Sequence, residues 1–191
     1  MEFNSLSYLK EGTAQQQSAY RALHSLDLFN YLSEYYPLLT GTVPLRIDID
    51  SSDLDICCEV HTPKLFVDQV TKEYGDLPSF QVLRMLSHNL LAILIRFRYQ
   101  SWPIELFGQP LPATKQHAYR HMIVEHRILQ LASVAFREQI KELKQQGIKT
   151  EPAFAQLLNL QGDPYQAVLN LENYSDDQLW QLLSSKGYTG K

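Results

Sequence analysis

At 191 residues, 45% hydrophobic and 20% charged, the chain can bury a real core and carries no disordered, fibrous or disulfide-stapled bias. Its formal net charge of −4, without a basic stripe along any helix, weighs against long nucleic acid as a partner, because binding a phosphate backbone takes clustered Lys and Arg. The first residues show no basic segment followed by an apolar run, and no stretch approaches the roughly 18 to 20 apolar residues of a membrane span. The expected compartment is therefore the cytoplasm, with no membrane partner. From Ala14 to Tyr36, Ala19, Leu23, Leu26, Phe29, Leu32 and Tyr36 recur at steps of three and four, which predicts one or two amphipathic helices closed by Pro37. Leu38 and Leu39 then read as a short buried strand ending at Gly41-Thr42.

The stretch from Thr40 to Val60, TGTVPLRIDIDSSDLDICCEV, concentrates the charge. Asp48, Asp50, Asp53, Asp55 and Glu59 against Arg46 alone give −4 (five acids minus one base), the formal charge of the whole chain. Like charges this close repel unless a cation neutralises them, so something positive belongs there. Asp53 and Asp55 flank Leu54 and lead into Ile56-Cys57-Cys58, a run of strand composition, and residues two apart on a strand point the same way. Paired carboxylates of this kind can hold Mg²⁺ together with water and substrate phosphate. Gly41-Thr42, separated from Asp53 by ten residues, can offer backbone N–H groups and a hydroxyl to a phosphate, although taken alone it is also an ordinary strand-end turn. Cys57 and Cys58 are adjacent in the predicted strand and read as small core hydrophobes rather than a disulfide or metal pair.

Gly-Thr, ten residues, then Asp-Leu-Asp resembles the signature of the nucleotidyltransferase superfamily (the DNA polymerase beta-like fold), where Gly-Ser or Gly-Gly precedes Asp-x-Asp. The wider string, with GTVPLRID, SDLDI, WPIELFGQP, AYRHM and TEPAFA, is similar to an uncharacterised bacterial domain-of-unknown-function family assigned to that superfamily. This second likeness covers nearly the whole chain and brings no established substrate.

Farther along, Thr62-Pro63 predicts the start of a helix that carries Leu65, Phe66 and Val70 inward and stops at Gly75. Phe80 to Leu86 and Leu90 to Tyr99 are β-rich and predict a hairpin turning at His88-Asn89, with a further strand from Trp102 to Phe107. The expected fold class is α+β: a nucleotidyltransferase-like mixed sheet of about five strands with flanking helices, followed by an all-helical C-terminal part. Gln109-Pro110-Leu111-Pro112 breaks the pattern, which gives an expected α/β core over 1–109 and a helical region over 110–191 packed on it. There, Met122, Leu129, Ala132, Phe136, Ile140 and Leu143 predict the stripe of one long helix terminated by Gly147. Thr150-Glu151-Pro152, Asp163-Pro164 and Ser175-x-x-Gln178 each look like an N-cap starting a shorter helix.

Two metals on one phosphate need a carboxylate from a neighbouring strand beside the Asp-x-Asp pair. Glu105, a lone charge in Ile104-Glu105-Leu106, is the candidate, and the resemblance puts its third carboxylate in such a strand; the bland alternative is a salt bridge to Arg96 or Arg98. The resemblance thus implies two Mg²⁺ (or Mn²⁺) ions held by Asp53, Asp55 and Glu105, with a nucleoside triphosphate as substrate. An acceptor hydroxyl attacks the α-phosphate and pyrophosphate leaves, Gly41 and Thr42 cradling the departing phosphates. Arg46, Arg96 and Arg98 are the nearest candidates for neutralising triphosphate charge, with Arg46 and Arg98 assigned to nucleotide binding; each can equally be a solvated arginine. Asp48 and Asp50 are given no catalytic role.

A second polar concentration runs from Gln116 to Arg127. His117, His121 and Glu125 stand at successive i, i+4 positions, yet three ligands on one straight helix converge poorly on an ion. Arg120-His121, four residues, then His126 also resembles the arginine-polar-x4-histidine motif of the HEPN ribonucleases, which implies Arg120 on the phosphate and His126 moving protons. A partly buried network of Arg120, His121, Glu125 and His126 explains the same residues. The leading expectation is an enzyme, a Mg²⁺-dependent nucleotidyltransferase acting on a small-molecule or protein hydroxyl. The alternatives are a non-catalytic nucleotide-binding or regulatory module and a metal-independent ribonuclease using Arg120 and His126.

Overall fold

In a computed structural model that describes residues 3–189, the chain divides into two compact units. The first runs up to Arg46 and resumes over Ser52–Tyr119; the second takes Ile47–Ser51 and the chain from Arg120 onward. In the first, helices α1 (Ala14–Ser25) and α2 (Leu28–Tyr31) precede strand β1 (Leu38–Thr40), and β2 (Leu54–Glu59) leads into α3 (Pro63–Tyr74). Strands β3 (Gln81–Ser87), β4 (Leu90–Tyr99) and β5 (Trp102–Gln109) complete a five-stranded sheet in the order β1-β2-β5-β4-β3. Only the β2–β5 pair is parallel, so the sheet is mixed, as expected.

Alternation along the central strands sets the two faces of this sheet. Leu54, Ile56 and Cys58 of β2, Ile93, Ile95 and Phe97 of β4, and Trp102, Ile104 and Leu106 of β5 are buried in one core with Ala19, Ala22 and Leu23 of α1 and Phe66 and Val70 of α3. The intervening residues Asp55, Cys57, Glu105, Phe107, Leu94 and Arg96 occupy the other face. Thr13 caps α1 through a full capping box with Gln16. At α3, by contrast, Pro63 takes the first turn while the Thr62 hydroxyl makes no capping bond, and Leu65 is 61% exposed rather than turned inward.

The second unit contains the remainder of α4 (His117–Leu131), then α5 (Val134–Gln145), α6 (Thr150–Leu158), α7 (Pro164–Asn170) and α8 (Asp176–Ser185). The single long helix expected through Leu143 is two helices. Ser133, extended at φ −67° and ψ 162°, accepts a capping bond from Phe136 N at 3.4 Å, and Ala132 bridges to Thr189, which restarts the ladder as a new helix. Phe136, Ile140 and Lys144 are therefore the buried positions of α5, with Phe136 in edge contact with Phe154 and Tyr188 at centroid distances of 5.6 and 5.0 Å. Thr150 is the first residue of α6, and the cap position falls to Lys149 without a side-chain bond. Asp163 caps α7 through Gln166 N, and Ser175 with Gln178 forms the expected capping box of α8.

Candidate active site

Strand register brings the expected acids together. Thr40 is opposite Asp55 across β1–β2, Asp55 opposite Glu105 across β2–β5, and Glu105 opposite Arg96 across β5–β4, so one cross-sheet row reads Thr40, Asp55, Glu105, Arg96. Asp53 stands one residue before β2, two positions from Asp55. A carboxylate oxygen of each of Asp53, Asp55 and Glu105 lies within 4.8 Å of the other two, and all three residues are partly exposed. Three solvated carboxylates with no nitrogen or sulfur among them fit a hard dication that keeps waters and substrate phosphate in its shell.

The turn after β1 is fitted to that cluster. Gly41 has φ +78°, and a Cβ there would stand 2.5 Å from Asp55 Oδ2, so only glycine lets the backbone come this close to the carboxylate. Thr42 Oγ1 donates to Ser52 Oγ at 3.2 Å, tying the turn to the residue before Asp53. A residue not singled out in the sequence supports the same turn. Gln16 is fully buried; its Nε2 donates to Val43 O at 2.9 Å, and its Oε1 accepts from Thr13 N at 3.1 Å and from Arg46 Nε at 3.3 Å. A polar residue at N3 of a helix is unremarkable in sequence, which is why its second task could not be read there. Arg46, itself at φ +60°, is exposed and turned to Gln16.

Glu105 also has the partner foreseen as its alternative: Arg96 Nε stands 2.6 Å from Glu105 Oε1, with both side chains partly in solvent. Arg98 is exposed and donates to Ser101 O at 3.5 Å. Beside Asp55 and Glu105, on the same sheet face, lies a cavity of about 290 Å³ floored by Cys57, Phe107 and Gln109. Its wall is a stacked pair of imidazoles, His88 from the β3–β4 turn and His117 from the start of α4, with centroids 3.6 Å apart. Gln109 Nε2 donates to Ser87 O at 3.0 Å and holds the hairpin end in place. A larger cavity of about 710 Å³, bordered by Lys10, Tyr20, His24 and Phe29, includes none of the three carboxylates. Burial pushes the Cys57 thiol up to about 12, and Thr40 Oγ1 lies 3.8 Å from its sulfur; both cysteines are buried and free, as expected of core hydrophobes.

In the second unit, Arg120 is engaged by Glu172 (Nη2 to Oε2, 2.5 Å), and Arg127 binds Asp176 Oδ1 at 2.8 Å and Tyr174 O. His126 is half-buried, and burial followed by the nearby Arg137 guanidinium lowers its pKa. His121 and Glu125 are buried together, whereas His117 belongs to the histidine stack of the first unit.

Residues 21–171 match the family described as Domain of unknown function DUF4269. The chain belongs to that family. None of the curated proteins matches its sequence. This DUF4269 chain is similar in fold to the Cid1 poly(U) polymerase with MgGTP bound, at 12% identity and a TM-score of 0.51 over 80% of this chain and 47% of that one. The GLD-2/RNP-8 complex gives 13% identity and a TM-score of 0.53, covering 94% and 68%. The polymerase core of TRAMP, an RNA surveillance complex, gives 11% and 0.50, covering 95% and 60%. The chain spans about half the length of the Cid1 chains it matches. The fold is thus nucleotidyltransferase-like, the one these polymerase structures share, as expected.

Proposed function

We propose that the protein is a divalent-metal-dependent nucleotidyltransferase that moves a nucleoside monophosphate from a nucleoside triphosphate to a hydroxyl on a small-molecule or protein acceptor. The observation that carries this reading is the convergence of Asp53, Asp55 and Glu105 within 4.8 Å next to a glycine turn fitted against Asp55. The transfer is assigned to the α/β part, residues 1–109, with Mg²⁺ or Mn²⁺ as the expected ions and the cytoplasm as the compartment. Asp53 and Asp55 would hold the ions beside the Gly41 turn; the turn's N–H groups and the Thr42 hydroxyl, which here donates to Ser52 Oγ, are the candidates for cradling the departing phosphates, and Arg46 and Arg98 for neutralising them. Glu105 completes the cluster and accepts the proton of the acceptor hydroxyl as its oxygen bonds to the α-phosphorus and the bond to pyrophosphate breaks. The ions, when bound, supply charge stabilisation to the attacking and leaving oxygens. An acceptor that enters the 290 Å³ cavity meets Asp55, Glu105 and the His88–His117 stack, a volume at the small end of ligand sites.

The Arg96–Glu105 ion pair favours a second reading, a nucleotide-binding module without turnover, because it spends the third carboxylate on a strand arginine. Mg²⁺-dependent pyrophosphate release from nucleoside triphosphates in the presence of a metabolite and protein extract separates the two. Release abolished in Glu105→Gln supports the transferase; nucleotide binding without release in wild type supports the module.

A further inference from the structure

The helical unit holds a second set of converging ligands. His121 and Glu125 stand four residues apart on α4, hence on one face of the helix. Glu151, in the first turn of α6, brings its carboxylate to them, and a ligand atom from each of the three lies within 4.8 Å of the other two. Rather than the three-on-one-helix set of His117, His121 and Glu125, two ligands from one helix are completed by a third from another.

Glu125 is 3% exposed, and its Oε1 has no hydrogen-bond partner among the described residues. Lys144, whose Nζ donates to Ile47 O at 2.9 Å, contributes one positive charge beside both carboxylates. Lys149 is a second ammonium acting on Glu151, so what stands out is the buried Glu125 Oε1, an acceptor without a hydrogen-bond partner among the described residues that a cation would satisfy. The donor set differs in kind from the all-oxygen cluster of the sheet. One imidazole with two carboxylates suits a borderline first-row dication, which binds nitrogen at about 2.0–2.1 Å and oxygen at about 2.0–2.2 Å. Atoms already within 4.8 Å close on such an ion by side-chain rotation, and the partly exposed Glu151 gives it a way in.

We propose that His121, Glu125 and Glu151 form a structural site for a divalent transition-metal ion of the Zn²⁺ type, clamping the first turn of α6 to α4. The test titrates Co²⁺ into the chelator-stripped full chain carrying Asp53→Asn and Asp55→Asn, so that the strand cluster is silent. Wild type in excess Mg²⁺, which competes for that cluster, is the parallel sample. The expected result is one Co²⁺ per chain in both samples, with visible bands of an imidazole–carboxylate site, displaced by Zn²⁺, which also raises the melting temperature. Glu125→Gln and Glu151→Gln, added singly, should each weaken binding at least tenfold; if the buried Glu125→Gln does not fold, the partly exposed Glu151→Gln decides. Absence of Co²⁺ binding in folded protein overturns the proposal and leaves Glu125 as a buried neutral acid. So does binding unchanged by either substitution.

Discussion

The strand-borne and helix-borne clusters contain similar acids and solve their repulsion differently. Asp53, Asp55 and Glu105 sit at the ends and middles of strands, partly in water, with Arg96 as a lateral partner, so their charge is tolerable without a ligand. His121, Glu125 and Glu151 sit between helices, and burial pushes both glutamates up, Glu125 well above its ordinary range. Solvated carboxylates beside a cavity suit a metal that must exchange substrates; a buried mixed donor set suits a metal that stays.

The largest effect is expected at Asp55. Replacing it by Asn should cut metal-dependent transfer roughly a thousandfold, since metal charge stabilisation is worth several kcal/mol and each 1.36 kcal/mol is tenfold; steady-state pyrophosphate release measures it. Gly41→Ala attacks the same cluster through the backbone. A Cβ 2.5 Å from Asp55 Oδ2 at φ +78° should cost about 1–3 kcal/mol in urea unfolding and lower activity as well.

For the helical cluster the readout is pH. A carboxyl whose folded pKa exceeds its unfolded value of about 4.5 binds more protons folded than unfolded, so its contribution to stability is full below that value and falls as pH rises toward the folded pKa. Glu125 and Glu151 share this sign, which the Lys144 ammonium beside both and the Lys149 ammonium beside Glu151 weaken, and His121 shares the site. In chelator, stability should decline from about pH 4.5 upward by at most about 1.4 kcal/mol per pH unit for each carboxyl, and Glu125→Gln should flatten the curve. Added Zn²⁺ should reverse the slope, because binding requires deprotonated ligands.

The smallest effect is expected at Arg96. Its pair with Glu105 is partly exposed, so Arg96→Met should change stability by no more than about 1 kcal/mol by chemical denaturation. On the transferase reading it should leave pyrophosphate release measurable, since it frees Glu105 rather than removing it.

Much of the first cluster was legible because strands translate sequence spacing into direction: Asp-Leu-Asp and Ile-Glu-Leu each announce a charge on the face opposite the core. What spacing could not supply was register. Asp55 and Glu105 meet because β2 and β5 pair in parallel with those residues opposed, and the same register hands Glu105 to Arg96, so both readings of that residue are present at once. The helical cluster was half legible. The i, i+4 step of His121 and Glu125 was visible, but Glu151 looked like an ordinary acid at a helix start. The break at Ser133, which makes α4 and α5 separate helices, depends on a cap masked by continuous apolar periodicity from Met122 to Leu143.

Whether the three strand-borne carboxylates form a metal-dependent transfer site can be read from pyrophosphate release from a mixture of nucleoside triphosphates against Mg²⁺ and Mn²⁺ concentration, with a metabolite and protein extract as acceptor source. Release should require the dication, with incorporation of labelled nucleoside monophosphate into an acceptor, and both should be lost in Asp55→Asn and Glu105→Gln at unchanged fold. Release independent of divalent ions, or equal in wild type and both variants, would contradict it.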